Sequence, residues 1–127
     1  MSDRITLTIP RERPFHGVAH LVLGGLALRL NLTVEILEDL QVALDELLDQ
    51  EDDSDDVTVE LSVEGDTIEA ELGPFDGDLL RGELERDEAV GLRRVLDTVV
   101  DEVRIDERDG AHWVALRKAV APVKAGS

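Results

Sequence analysis

The chain reads as an α+β protein. Five segments alternate apolar and polar residues with the two-residue period of a strand, and three longer segments carry the three- and four-residue steps of a helix. Two short Gly- and Asp-containing links join neighbouring strand segments as hairpins. Strands and helices segregate in part. The expected architecture is therefore a single two-layer sandwich, with a mixed or antiparallel sheet covered on one face by about three helices. The 127 residues suit one domain, with a core over residues 5–118 and a loose tail over residues 119–127.

Residues 4–9, RITLTI, form the first strand, half-buried and rich in β-branched side chains. Pro10 and Pro14 close it. Residues 15–30 form the first helix, apolar around more than one face, as in a helix that is buried on one side and docked on the other. Gly24 and Gly25 cost helix stability but allow a close backbone approach. His16 and His20 stand one turn apart; with no third ligand near, the pair reads as polar or capping rather than metal-binding. Thr33 is a fair N-cap for the second helix, which runs to about Gln50.

Residues 51–56, EDDSDD, lack the alternate ligands, central Gly and closing Glu of a calcium loop and read as a solvated, self-repelling loop. Residues 57–63 and 67–72 form a hairpin, and Gly73, Pro74, Phe75 and Asp76 break the strand pattern. Residues 77–86 read as a flexible polar cover, and residues 87–102 as the third helix, with Asp87 and Glu88 favouring its N-terminus. A second hairpin, residues 103–107 and 111–118, turns at Asp109-Gly110.

Composition narrows the function classes. The net charge is −17, which repels phosphate backbones and argues against nucleic-acid binding while permitting a basic protein partner. Aromatic residues make up 2% of the chain, so the core is aliphatic. The absence of cysteine excludes disulfides and thiolate metal sites and suits a reducing cytoplasm. Residues 1–10 alternate instead of forming an apolar secretory run, and residues 17–28 are too short an apolar stretch to span a bilayer.

The second helix holds the densest chemistry. In LEDLQVALDELLDQ, residues 37–50, Leu37, Leu40, Ala43, Leu44, Leu47 and Leu48 make one apolar stripe. Glu46 and Gln50 stand one turn apart on the same face, and Asp45 and Asp49 form a second such pair. A carboxylate that takes a proton, followed by an amide that offers a carbonyl oxygen, suits a site for water and a hard metal ion.

Three segments in order resemble the RsbW-type anti-sigma factor kinases of the histidine-kinase-like ATPase (GHKL, Bergerat) fold, across roughly residues 5–118. LEDLQVALDELLDQ is similar to the family's helix with an E-x-x-x-N box. IEAELGPFD is similar to its D-x-G-x-G-F-D turn, and EAVGLRRVLDTVVDEVRI to its G-L-G-L helix leading into a strand. The resemblance implies that Glu46 polarises a phosphoryl acceptor or water. It implies that Gly73 lies beside the adenine, with Phe75 and Asp76 following as the family's F-D, and that Gly91 is the first glycine of the phosphate-side loop.

Departures fall on the nucleotide groups. Gln50 stands for the magnesium-binding Asn, one methylene longer. Glu71 stands for the Asp that receives the adenine amino group, also one carbon longer. Pro74 leads directly to Phe75 without the second glycine of the turn, and Arg93 replaces the second glycine of G-L-G. A misplacement of about 1 Å costs about a hundredfold in rate.

The resemblance therefore implies an anti-sigma-factor-like regulatory protein of bacterial transcription and stress response, with weakened or lost ATP binding. The alternative is an active ATP-dependent serine-protein kinase that phosphorylates an anti-anti-sigma factor, with Glu46 as base and Gln50 as magnesium ligand. ATP and Mg2+ are the implied cofactors if the pocket is functional. The implied partners are a sigma factor, an anti-anti-sigma (STAS-type) protein or a second copy in a homodimer, in the cytoplasm. An α+β domain with neither role is the third possibility.

Overall fold

A computed structural model describes residues 3–50, 55–76, 79–85 and 91–119. Five strands, β1 (Asp3–Pro10), β2 (Asp56–Glu64), β3 (Thr67–Phe75), β4 (Glu102–Arg108) and β5 (Ala111–Ala119), make one sheet in the order β1-β2-β3-β5-β4. Every neighbouring pair is antiparallel, which decides between the mixed and antiparallel expectations. The helices are α1 (His16–Leu30), α2 (Val34–Leu48), α3 (Leu79–Glu85) and α4 (Leu92–Val99), with a short 3-10 turn at Arg13–Phe15 before α1. Among the described residues no helix is long and apolar enough to cross a membrane.

Alternation assigns each strand residue to a face. Val57, Val59, Leu61 and Val63 of β2 turn inward and join Ile68, Ala70 and Leu72 of β3, Val114 and Leu116 of β5 and the helical leucines in one core. The opposite face is polar and laced with ion pairs, including Arg4–Glu60 at 3.5 Å and Arg117–Glu102 at 3.8 Å. The hairpin turns follow their residues. Gly65 takes a positive φ of 58° between β2 and β3. Asp109 and Gly110 both lie at positive φ, 52° and 81°, as a two-residue turn of primed type requires.

Helix ends are equally legible. Asn31, with φ 57° and ψ 45°, closes α1 in the left-handed conformation, and the Leu32 amide bonds back to the Ala27 carbonyl at 2.9 Å. The Thr33 side chain accepts from the Ile36 amide at 3.2 Å and caps α2. The apolar stripe of α2 is buried: Leu40, Ala43, Leu44, Leu47 and Leu48 all lie in the core.

Three expectations need correction. Gly73, Pro74 and Phe75 continue β3 instead of breaking it: Leu72 pairs with Val114 and Phe75 with His112, so Gly73 and Pro74 together face Trp113 in a bulge. The Gly73–Pro74 peptide bond is cis. Within the segment expected to be a flexible cover, Leu79–Glu85 is the helix α3, because Leu80 and Leu84, one turn apart, are both buried in the core. The helix expected over residues 87–102 ends at Val99. Val100 is already extended, and the Asp101 amide bonds to the Arg117 carbonyl at 2.9 Å, so the backbone joins the sheet. Its start over residues 87–90, the acidic loop over residues 51–54 and the tail over residues 120–127 lie outside the described residues.

Leu84→Ala tests whether α3 belongs to the core. Urea unfolding should show a loss of about 2–5 kcal/mol; a change within about 0.5 kcal/mol would mean that the segment is a surface cover.

Candidate functional site

The C-terminal turn of α2 gathers the polar groups that the helical period placed together. Glu46 is half-buried there. The Gln50 side chain folds back, and its Nε2 donates to the Glu46 backbone carbonyl at 3.0 Å. The amide thus satisfies one of the free carbonyls at the end of α2.

Beside them α1 runs antiparallel to α2, and the two one-turn pairs meet as rungs. His20 Nε2 donates to Asp45 Oδ1 at 2.6 Å. His16 Nδ1 lies 3.7 Å from Asp49 Oδ1, and Arg13 Nε lies 3.6 Å from the same oxygen. His16 Nε2 donates to the Arg11 carbonyl at 3.2 Å. These histidines join α1 to α2, the polar role expected of them. Sequence reasoning noted each pair separately; the matching one-turn spacing on consecutive helices was the signal that they face each other. Among the described residues no cluster of three or more His, Asp or Glu could hold a metal ion.

The end of β3 supplies Phe75, fully buried, with the Arg11 guanidinium 4.6 Å from its ring centroid and also donating to the Pro74 carbonyl. Asp76 follows, exposed, just beyond the strand. Gly91 is the N-cap of α4 and offers no side-chain cap, and the Val95 amide bonds to its carbonyl at 3.1 Å. Arg93, in the first turn of α4, is held along the helix surface: its Nε lies 3.0 Å from Asp97 Oδ1 and 3.2 Å from Oδ2. It borders a cavity of about 370 Å³ walled by the end of α3, α4 and the β4 and β5 strands. Neither Glu46 nor Gln50 lines that cavity.

Glu71 and Gly73 do not join this group, because they face the other side of the sheet. Ile68, Ala70 and Leu72 are the inward residues of β3, so Glu71 points outward, where its Oε1 pairs with Arg108 Nη2 at 3.1 Å. Arg108 in turn lies over the Trp113 ring, 4.9 Å from its centroid. Gly73 sits under that ring: a Cβ there would lie 2.5 Å from the indole. Its lack of a side chain is thus explained by Trp113. The side chain that β3 sends toward the helices before the bulge is Leu72, fully buried. The parity of the strand was the available signal for this, since Glu71 is one residue out of phase with Ile68 and Ala70.

No protein-family model matches the chain. It is 26% identical, over a 138-residue alignment, to the serine-protein kinase RsbW of Listeria monocytogenes serotype 4a (strain HCC23), covering 90% of this chain and 86% of the relative. The serine-protein kinase RsbW of Bacillus subtilis (strain 168) is also 26% identical, over 140 residues, covering 92% and 86%. The chain is similar to RsbW kinases along nearly its whole length. Among solved structures, the RsbU and RsbW domains of Rv1364c from Mycobacterium tuberculosis align with a TM-score of 0.69 at 15% identity. That alignment covers 93% of this chain and 32% of the mycobacterial one, and it shows a shared fold. The RsbW-like architecture is therefore present, while the residues likened to the nucleotide-binding set divide between the two faces of the sheet.

Gly73→Ala should destabilise the chain by about 1–3 kcal/mol through overpacking against Trp113. In a Trp113→Ala background the same substitution should cost clearly less in a denaturant titration; an equal cost in both backgrounds would contradict the contact.

Proposed function

We propose that the chain is an anti-sigma-factor-like regulatory protein that binds a sigma factor or an anti-anti-sigma (STAS-type) partner in the cytoplasm, with ATP binding weakened or lost. The observation that carries this reading is the phase of β3. Leu72 stands fully buried on the helical side, and Glu71, the residue likened to the adenine-binding Asp, is paired with Arg108 on the opposite face. A hydrogen bond to a charged group contributes about 1.5–3 kcal/mol, and losing one weakens binding by roughly tenfold to a hundredfold.

Other contacts point the same way. The Arg93 guanidinium is engaged with Asp97 at 3.0 Å. Leu80 and Leu84 of α3 are buried in the apolar core. These residues do not fit magnesium ATP well. The apolar outer face of α1 and its neighbourhood is the docking surface of this reading, open to a partner protein or a second copy. The net charge of −17 favours a protein over a nucleic acid.

The alternative is an active ATP-dependent serine-protein kinase acting on an anti-anti-sigma factor. It draws on Glu46, half-buried one turn before Gln50, where a general base would stand.

A thermal-shift titration separates the two. Ligand at a hundred times its Kd stabilises a fold by about 2.7 kcal/mol, worth several degrees in Tm for a chain this size. The regulatory reading expects no shift at millimolar magnesium ATP and capture of the sigma factor or its antagonist without nucleotide. A shift of several degrees, with phosphate transfer abolished in a folded Glu46→Ala variant, would establish the kinase instead.

A further inference from the structure

β4 is the last strand of the sheet, and among the described residues no strand pairs with its outer edge. Free amides and carbonyls along an edge are a template for another strand. The turn at Asp109 and Gly110 fixes which groups are free. In a two-residue hairpin the flanking residues, here Arg108 and Ala111, exchange hydrogen bonds, and the ladder alternates from there. Glu102, Arg104, Asp106 and Arg108 thus direct their backbone groups at β5. Val103, Ile105 and Glu107 direct theirs at the open edge.

The side chains of β4 alternate too. Val103, buried, and Ile105, half-buried, lie on the helical face, and Glu102, Arg104, Asp106 and Arg108 lie on the outer face. Along the strand that outer row reads acid, base, acid, base. Such a row complements itself when a second copy runs antiparallel. With Ile105 of each copy at a two-fold axis, Arg104 meets Asp106 and Glu102 meets Arg108, each pair occurring on both sides of the axis. Opposite charges directly across two strands stabilise the pairing and like charges oppose it. An axis at Arg104 would instead set Arg104 on Arg104 and Glu102 on Asp106. An axis at Asp106 would set Asp106 on Asp106 and Arg104 on Arg108. The row therefore selects one register. In that register the free backbone groups also face one another, Ile105 with Ile105 and Val103 with Glu107.

The surroundings agree. The outer row of β4 holds as many bases as acids, so this edge is locally neutral on a chain of net charge −17, and a second copy meets little repulsion there. The other edge strand, β1, carries Arg4, Thr6 and Thr8 on its outer face, with Arg4 paired to Glu60, and its charges select no register. On the helical side the cavity of about 370 Å³ runs along Val103, Ile105 and Glu107 and leaves room for the side chains of an added strand.

We propose that two copies of this chain dimerise by pairing β4 with β4, antiparallel about a two-fold axis at Ile105, so that their sheets become one. The ion pairs Arg108–Glu71 at 3.1 Å and Arg117–Glu102 at 3.8 Å then join across the axis, where Arg108 of one copy meets Glu102 of the other. α1 packs near β1 at the far edge of the sheet, so its apolar outer face stays open in both copies.

The test is sedimentation velocity of the full chain over a wide range of concentrations. It is run at about 0.15 M salt, where charges are screened beyond about 8 Å. The wild type should form a reversible dimer. Arg104→Asp and Asp106→Arg each bring like charges together on both sides of the axis, and each should weaken the dimer about tenfold or more. Mixed in equal amounts, the two variants should dimerise with each other, because each supplies the charge the other has lost. The double variant Arg104→Asp with Asp106→Arg should dimerise like the wild type. Arg104 and Asp106 have side chains 60% and 33% exposed, so these variants should fold. Glu107→Pro removes an amide aimed at the open edge, and it too should weaken the dimer while circular dichroism shows the fold retained.

A wild-type chain that stays monomeric at every concentration would overturn the proposal. So would a dimer unmoved by either charge reversal and broken by Leu28→Asp, which would assign the second copy to α1. Reversed variants that fail to pair when mixed, beside a dimeric wild type, would overturn the register and with it the proposal. The dimer stands apart from the regulatory reading. A monomeric chain that still captures a sigma factor or its antagonist would overturn the dimer alone, and a β4-paired dimer that captures neither would overturn the regulatory reading alone.

Discussion

The two-residue period of β3 determines which side chains the helical layer meets. The hairpin at Gly65 sets its register: Val63 pairs with Ile68, and Leu72 pairs with Val59 on one side and Val114 on the other. Because neighbouring strands share one core face, Ile68, Ala70 and Leu72 must turn toward the helices and Glu69 and Glu71 away from them. The bulge opposite Trp113 adds one residue and returns Phe75 to the core, but it comes after Leu72 and cannot bring Glu71 round. The outward carboxylate has its own environment, with Arg108 bonded to it and stacked on Trp113, and Trp113 seated on Gly73. Reversing the phase would place a carboxylate in an aliphatic core and an aliphatic side chain among ion pairs, at a cost of several kcal/mol.

Around that sheet the helices pack as one layer. α1 is fixed to α2 by the His20–Asp45 and His16–Asp49 contacts as well as by leucine packing. Lys118 ties the layer to β5, donating to the Val99 carbonyl at 2.7 Å at the end of α4 and pairing with Asp39 of α2. The outer face of α1 presents Leu21 and Leu28 to solvent.

Much of this was legible in the residues. The strand alternation of RITLTI and VTVELSV, the Asp109-Gly110 turn, the Thr33 cap and the leucine stripe of α2 each follow from local rules that tertiary structure did not override. The failures share a physical cause, in that two patterns compete over a short stretch. Seven residues with Gly82 in the middle give α3 little propensity, and only the burial of Leu80 and Leu84 secures it. Val99, Val100 and Val103 fit a helix stripe and a strand equally well until β5 supplies hydrogen-bond partners. Glu71 lies on the far face by the strand's own parity, and the Gln50 Nε2 and the Arg93 guanidinium are bonded to Glu46 and Asp97 within their own segments.

The absence of native cysteine permits a direct test of the β3 phase. Glu71→Cys and Leu72→Cys, each the only thiol in its chain, can be labelled with a maleimide under native conditions. The Glu71→Cys thiol should react readily, and the Leu72→Cys thiol at least about a hundredfold more slowly, at a rate tracking unfolding. Fast labelling at position 72 with protection at position 71 would place the carboxylate among the helices and contradict the account at its root.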